Sequence, residues 1–133
     1  MEKIIRIDNR DVRFKSTAGT LMRYRNNFGR DFLKDIVALD KKFKSVKSGI
    51  GQFEVVELDI FEKLAWSMAK TANDNIPDIE HWLDDFNSFS IMQVLPEIME
   101  LLVGNLQQES QKKRMVETAT LYHRKHRKSH HKY

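Results

Sequence analysis

The sequence predicts a mainly α chain of the α+β kind: an N-terminal β-hairpin followed by about five helices in one compact domain. Three observations predict it. Residues 11–15, Asp-Val-Arg-Phe-Lys, alternate strictly between apolar and charged, which is the period of a half-buried strand. The later apolar runs instead repeat at three- and four-residue spacing, the period of amphipathic helices. Finally, 133 residues amount to about one domain, and no internal repeat divides them.

The hairpin pairs residues 3–7 with 11–15. Asp8-Asn9-Arg10 between them is turn chemistry, because Asp and Asn tolerate positive φ and bond their own backbone. Two strands alone are marginal, so the hairpin is expected to lie on helices or on another chain. Ser16 or Thr17 can cap a first helix. Leu21, Tyr24 and Phe28 form its stripe, and Gly29 stops it. A second helix is expected over 31–44, with Phe32, Ile36, Leu39 and Phe43 on one line, flanked by Leu33 and Val37. Asp31 at its start and Lys41, Lys42 and Lys44 at its end complement the helix dipole. Residues 45–53, with two Ser and two Gly, read as a flexible loop.

A third helix is expected over 56–73, with Phe61, Leu64, Ala65, Met68, Ala69 and Ala72 as its apolar face. Trp66 projects about 80–100° off that stripe at ~100° per residue, which suits either a core rim or an interface anchor. Asn73 through Pro77 break the chain. A short helix over 78–86 presents Ile79, Trp82, Leu83 and Phe86, and residues 87–90 break it again. Ser90 and Gln93 fit a capping box. The last segment, 91–106, aligns Ile91, Leu95, Ile98, Leu102 and Leu106. Met92, Met99 and Val103 form a second stripe, and Val94 and Leu101 lie on the other side. This apolar arc covers roughly 200°, where a surface helix needs little more than ~100°. Such a helix is expected to be central to the domain or to share part of its surface with a partner. Pro96 is expected to kink or restart it.

Charge separates body from ending. Residues 112–133 hold eight Lys or Arg and one acid, a net of +7, against −3 for the remaining 111 residues. Residues 1–111 are therefore read as the folded domain, and 112–133 as a basic, His-rich, flexible tail. The mildly acidic body is a poor nucleic-acid platform, although the tail could bind phosphates by counterion release. His123, His126 and His130 fall at helical spacing, but the interspersed Arg and Lys would repel a cation, and no metal site is assigned. With Cys 0, a disulfide scaffold, a Cys-based zinc site and a thiol nucleophile are excluded. A hydrophobic content of 41% and a charged content of 32% suit a soluble globular chain. No apolar run approaches the ~18 residues of a membrane helix, and the N-terminus lacks a signal-peptide core. The phosphate-loop, dinucleotide, zinc-protease and nucleophile-elbow motifs are all absent. Glu80, Asp84 and Asp85 read as a solvated helix face. No catalytic residue, cofactor or metal is expected, and the chain is not read as an enzyme.

The order of three stretches is more specific: RDVRFKSTAGTLMRYRNNFGRDFLKDI, LDIFEKLAWSMAKTA and IPDIEHWLDDFNSFSIMQVLPEIMELL. Over roughly residues 8–105 it resembles the tail assembly chaperones of long-tailed phages and prophages of Gram-positive bacteria. The pieces that carry it are Phe28-Gly29-Arg30-Asp31, Trp82-Leu83-Asp84 and Val94-Leu95-Pro96-Glu97. The resemblance implies a non-enzymatic protein of the host cytoplasm, absent from the mature virion. Such a protein coats the aggregation-prone tape measure protein and helps recruit tail tube subunits. Family members commonly make a longer product by programmed frameshift, whose extra domain contacts the tube protein; this chain would be the shorter product. Lys112-Lys113 could lie on the slippery run. Self-association into a homo-oligomer is expected, with Trp66, Met92, Met99, Val103 and Leu106 as candidate partner-binding residues. The alternatives are a small nucleic-acid-binding regulator acting through the tail and a structural head–tail protein of the virion.

Overall fold

The structure, a computed structural model, describes residues 1–102. These form the expected hairpin followed by five helical segments. Strand β1 (Glu2–Ile7) pairs antiparallel with β2 (Arg10–Lys15), in a register that sets Ile7 opposite Arg10 and Glu2 opposite Lys15. The two turn residues, Asp8 and Asn9, have φ of 54° and 62°. This left-handed pair matches the twist of a two-residue hairpin and is open to Asp and Asn without glycine. Ile5, Ile7, Val12 and Phe14 point inward and are buried; Ile4 points out.

Helix α1 (Ala18–Phe28) begins at Thr17, whose N–H donates to Thr20 Oγ1 at 3.0 Å. It ends at Gly29, where φ of 65° lets the N–H reach the Arg25 carbonyl. Helix α2 (Phe32–Lys47) starts on the Asp31 carboxylate, which accepts from the Lys34 N–H at 3.2 Å. It runs three residues past the expected end and closes on Ser48, whose N–H bonds the Lys44 carbonyl. The following loop is tied down: the Ile50 and Gly51 N–H groups both return to the Ser45 carbonyl. A Cβ at Gly51 would meet Ser45 Oγ at 2.6 Å, so a larger residue there would make the Ser45 hydroxyl turn aside.

Helix α3 (Val55–Ala72) is the middle of the molecule. It packs against β2, α1, α2 and α4 (Ile79–Asp84). Leu64 through Ala69 are all buried, six consecutive residues. That exceeds one turn of 3.6 residues, so every side of the helix is covered. The buried Ser67 hydroxyl donates to the Lys63 carbonyl at 2.8 Å, which satisfies the polar group inside the core. Trp66, placed off the stripe by its spacing, is buried too. Its Nε1–H donates to the Pro77 carbonyl at 2.9 Å, and its ring meets Phe28 edge-on at 5.6 Å.

The chain is helical again over 91–102, called α5 here. Val94, Leu95, Ile98, Met99, Leu101 and Leu102 are buried, an arc of roughly 160° at ~100° per residue. The remaining face is polar and lies beside β1: Lys3 pairs with Glu97 and Glu100, and Gln93 Nε2 donates to the Arg6 carbonyl at 3.0 Å. The Gln93 side chain thus reaches the strand rather than closing a capping box on Ser90. The Ser90 carbonyl still receives the first helical bonds, from the N–H groups of Gln93 and Val94. Pro96 neither ends nor restarts the helix. It removes one bond, and the buried residues on both sides of it hold the segment together. Helix α5, expected either to be central or to share its surface with a partner, buries one face over its described residues, and α3 takes the centre.

One ionic cluster is built into the α1–α2 junction. Asp35, 6% exposed, accepts from Tyr24 Oη at 2.6 Å and from Arg30 through two bonds of 2.7 and 3.0 Å. Burial alone would raise the Asp35 pKa; the bonds from Arg30 and Tyr24 outweigh it and hold the carboxyl below its usual range. Tyr24 is pushed upward by burial and by Asp35. A depressed folded-state pKa adds stability above the unfolded-state value, and that contribution disappears as pH falls through the folded-state value. Asp35→Asn is therefore expected to cost about 1–3 kcal/mol at pH 7. In urea unfolding at a series of pH values, the gap between wild type and variant should narrow as pH falls below about 4.

Candidate interaction surface

The described residues hold no group of three or more His, Asp or Glu placed to bind a metal. Among them, no helix is long and apolar enough to cross a membrane. The acidic cluster on α4 is a solvated face: exposed Asp78 bonds His81 Nδ1, which raises the imidazole pKa and lowers that of the carboxyl. What the body does present is apolar surface, and its distribution decides where a partner would sit.

Of the candidate partner-binding residues, Met92 is 47% exposed, but Met99 and Trp66 are only 7% and 6% exposed. Met99 faces the core from the edge of the α5 stripe. Trp66 is a core residue with its polar atom satisfied, not an anchor awaiting a partner. Val103, Leu106 and the basic tail lie outside the described residues, as do the histidines of that tail. The apolar surface left on α5 up to residue 102 is thus largely one methionine beside half-buried Ile91.

The exposed apolar side chains gather elsewhere. Of ten exposed large hydrophobic residues, six lie on α2, on its loop, or in the first turn of α3: Leu33, Val37, Ile50, Val55, Val56 and Leu58. On α2, Leu33, Val37, Lys41 and Lys44 fall at i, i+4, i+8 and i+11, one outward line whose first half is apolar and whose second half is basic. Ile50, at 84%, stands at the tip of the loop, and Val55, at 83%, opens α3. Two ion pairs lie on this limb. Lys44 meets Asp40 at 3.0 Å within α2, and Lys42 reaches Glu57 on α3 at 3.6 Å.

The sequence contained a signal for this surface. Leu33 and Val37 flank the α2 stripe, and the line they define turns into Lys41 and Lys44. A line that becomes basic over its second half is a solvent line, so its apolar half is solvent-exposed as well.

No family model matches this chain, and neither does any curated protein or solved structure. The case for function therefore stands on the surface and on the sequence pattern.

If Leu33 and Val37 are surface residues and Met99 is core, lysine substitutions separate them. Leu33→Lys and Val37→Lys should each change unfolding free energy by no more than about 0.5 kcal/mol. Met99→Lys should cost about 3 kcal/mol or more, because it buries a charge without a partner. Chemical denaturation of the full chain reads both.

Proposed function

We infer that the chain is a tail assembly chaperone of a long-tailed phage or prophage, a non-enzymatic protein that holds the tape measure protein in solution. The observation that carries this reading is that six of the ten exposed large hydrophobic residues lie on α2, its loop and the first turn of α3, with exposed Lys41 and Lys44 continuing the Leu33–Val37 line. A long client helix needs an apolar surface rather than a pocket, and patches of this kind mark interaction sites. Covering six such side chains is worth on the order of 5–10 kcal/mol before the costs of association. The order of motifs over residues 8–105 supports the same reading, as stated for the sequence.

The basic half of the α2 line gives the surface a preference among clients. An amphipathic helix with an apolar stripe and acidic flanks would complement both halves at once. Recruitment of tail tube subunits would belong to the longer frameshift product, in the host cytoplasm and not in the finished virion. Self-association through the same apolar residues would shield them until the client arrives.

Co-expression with the adjacent tape measure gene tests this directly. The tape measure protein should be recovered in the soluble fraction with this chain and be largely insoluble without it. Joint substitution Leu33→Lys/Val37→Lys should reduce that recovery severalfold while the chain stays folded by circular dichroism. Insolubility of the client in both cases rejects the reading. Light scattering of the chain alone should give an apparent mass that rises with concentration through the high micromolar range.

A further inference from the structure

A groove of about 310 Å³ runs along the outer edge of β2. One wall is Arg10 through Arg13, and the other is the turn between α3 and α4, including Asn75, Ile76 and Pro77. Its floor is apolar, made by Val12, Ala69 and Trp82. The far wall is fixed in place. Lys70 Nζ donates to the carbonyls of Asp74 and Ile76 at 2.7 and 2.8 Å, and Trp66 holds the Pro77 carbonyl.

Hairpin register settles which backbone groups face this groove. Met1 and Ser16 exchange backbone hydrogen bonds at 2.8 and 3.2 Å, which fixes the alternation along the strands. Residues 10, 12, 14 and 16 therefore turn their N–H and C=O groups toward β1, and residues 11, 13 and 15 turn theirs away. Two outward carbonyls are capped by side chains: Lys15 by Thr20 Oγ1 at 3.4 Å, and Arg6, on the opposite edge, by Gln93 Nε2. On the β2 edge, the outward N–H and C=O groups of Asp11 and Arg13 have no partner among the described residues. They line the groove. Backbone groups in this state are a template for another strand.

We propose that this groove takes an extended polypeptide segment of another protein, which adds to β2 as an antiparallel third strand. The charges at the edge define the segment. The residue opposite Val12 points down into the apolar floor and is a large aliphatic one. Its neighbour opposite Arg13 points outward and is acidic; its neighbour opposite Asp11 is basic. The recognised sequence is acidic–apolar–basic, read by four main-chain hydrogen bonds, one apolar pocket and two cross-strand charge pairs. Arg13 and Asp11 are already oriented on the outer face by Glu2 and Arg6, at 2.7 and 3.1 Å. This site goes beyond the holding function: it lies on another surface, reads main chain rather than side chain, and does not depend on the identity of the client.

The test is a titration of the isotope-labelled full chain with the end-blocked peptide Thr-Val-Glu-Ile-Lys-Val-Thr, followed by amide resonances and their hydrogen exchange. The Asp11 and Arg13 amides should shift and exchange at least about tenfold more slowly, since each becomes hydrogen-bonded. Methylating the Glu and Lys nitrogens of the peptide removes two of the four bonds and should weaken binding about tenfold or more. Arg13→Pro deletes one outward N–H that the β1 ladder does not use. It should weaken the parent peptide while leaving the β1–β2 backbone ladder intact, at the cost of the exposed Arg13–Glu2 ion pair. The proposal is overturned if the two amides stay unshifted and fast-exchanging at millimolar peptide, or if the methylated peptide binds equally well. It is also overturned if the same amides move with protein concentration alone, which would assign the groove to a second copy of the chain.

Discussion

The rest of the structure depends on α3 being covered on every side. A helix in a chain this small normally buries one stripe. Here the six residues from Leu64 to Ala69 are all inside, and the helix can be surrounded because three of them, Ala65, Ser67 and Ala69, are small. Small side chains let the hairpin and α1 approach closely. Trp66 fills the larger gap toward Phe28 and the Pro77 carbonyl. Where α1 meets α3, a polar seam adjoins this apolar contact: Thr20 Oγ1 and Thr71 Oγ1 lie 2.9 Å apart, and Arg23 donates to Thr71 at 2.7 Å. Such a seam fixes the register of two helices in a way that interchangeable apolar contacts do not.

One central helix also explains where apolar surface remains. The hairpin, α1 and α5 each leave a single large apolar side chain exposed within their bounds, Ile4, Met22 and Met92, and otherwise turn such residues inward, with charges outside as in the Lys3 pairs that join β1 to α5. Helix α2 is different. It buries Phe32, Ile36 and Leu39 yet keeps Leu33 and Val37 on its outer side. The body has no further element to cover them among the described residues. The Gly-rich loop then lifts Ile50 away from the core and delivers Val55 and Val56 to the start of α3. The surplus apolar area is therefore concentrated on one limb.

Much of this was legible in the residues. Asp8-Asn9 announced a tight hairpin because few residue pairs accept two positive φ values in succession. Gly29, Asp31 and the Asn73–Pro77 stretch marked helix ends through their own backbone chemistry, which needs no tertiary information. The ranking of helices by centrality was not legible. A helical wheel measures the width of an apolar arc, and α5 has the wider one. It does not count a small polar residue as a packing site, so Ser67, together with Trp66 off the stripe, made α3 look narrower than its burial. Trp66 was ambiguous for the same reason: the wheel placed it off the stripe, and only the neighbouring Phe28 and Pro77 turn that position into core. The exposure of Leu33 and Val37 was overlooked because they are the same residue types as the core line they flank; only the continuation of their line into Lys41 and Lys44 tells which of the two adjacent apolar lines faces water.

Hydrogen exchange of the full chain, free and in complex with a soluble segment of the tape measure protein, tests the central claim that α2 and the head of α3 form the holding surface. Exchange should slow over residues 33–47 and 50–58 on complex formation, with the core of α3 unchanged because it is already protected. Protection confined to residues beyond 90, with none on α2, would contradict it.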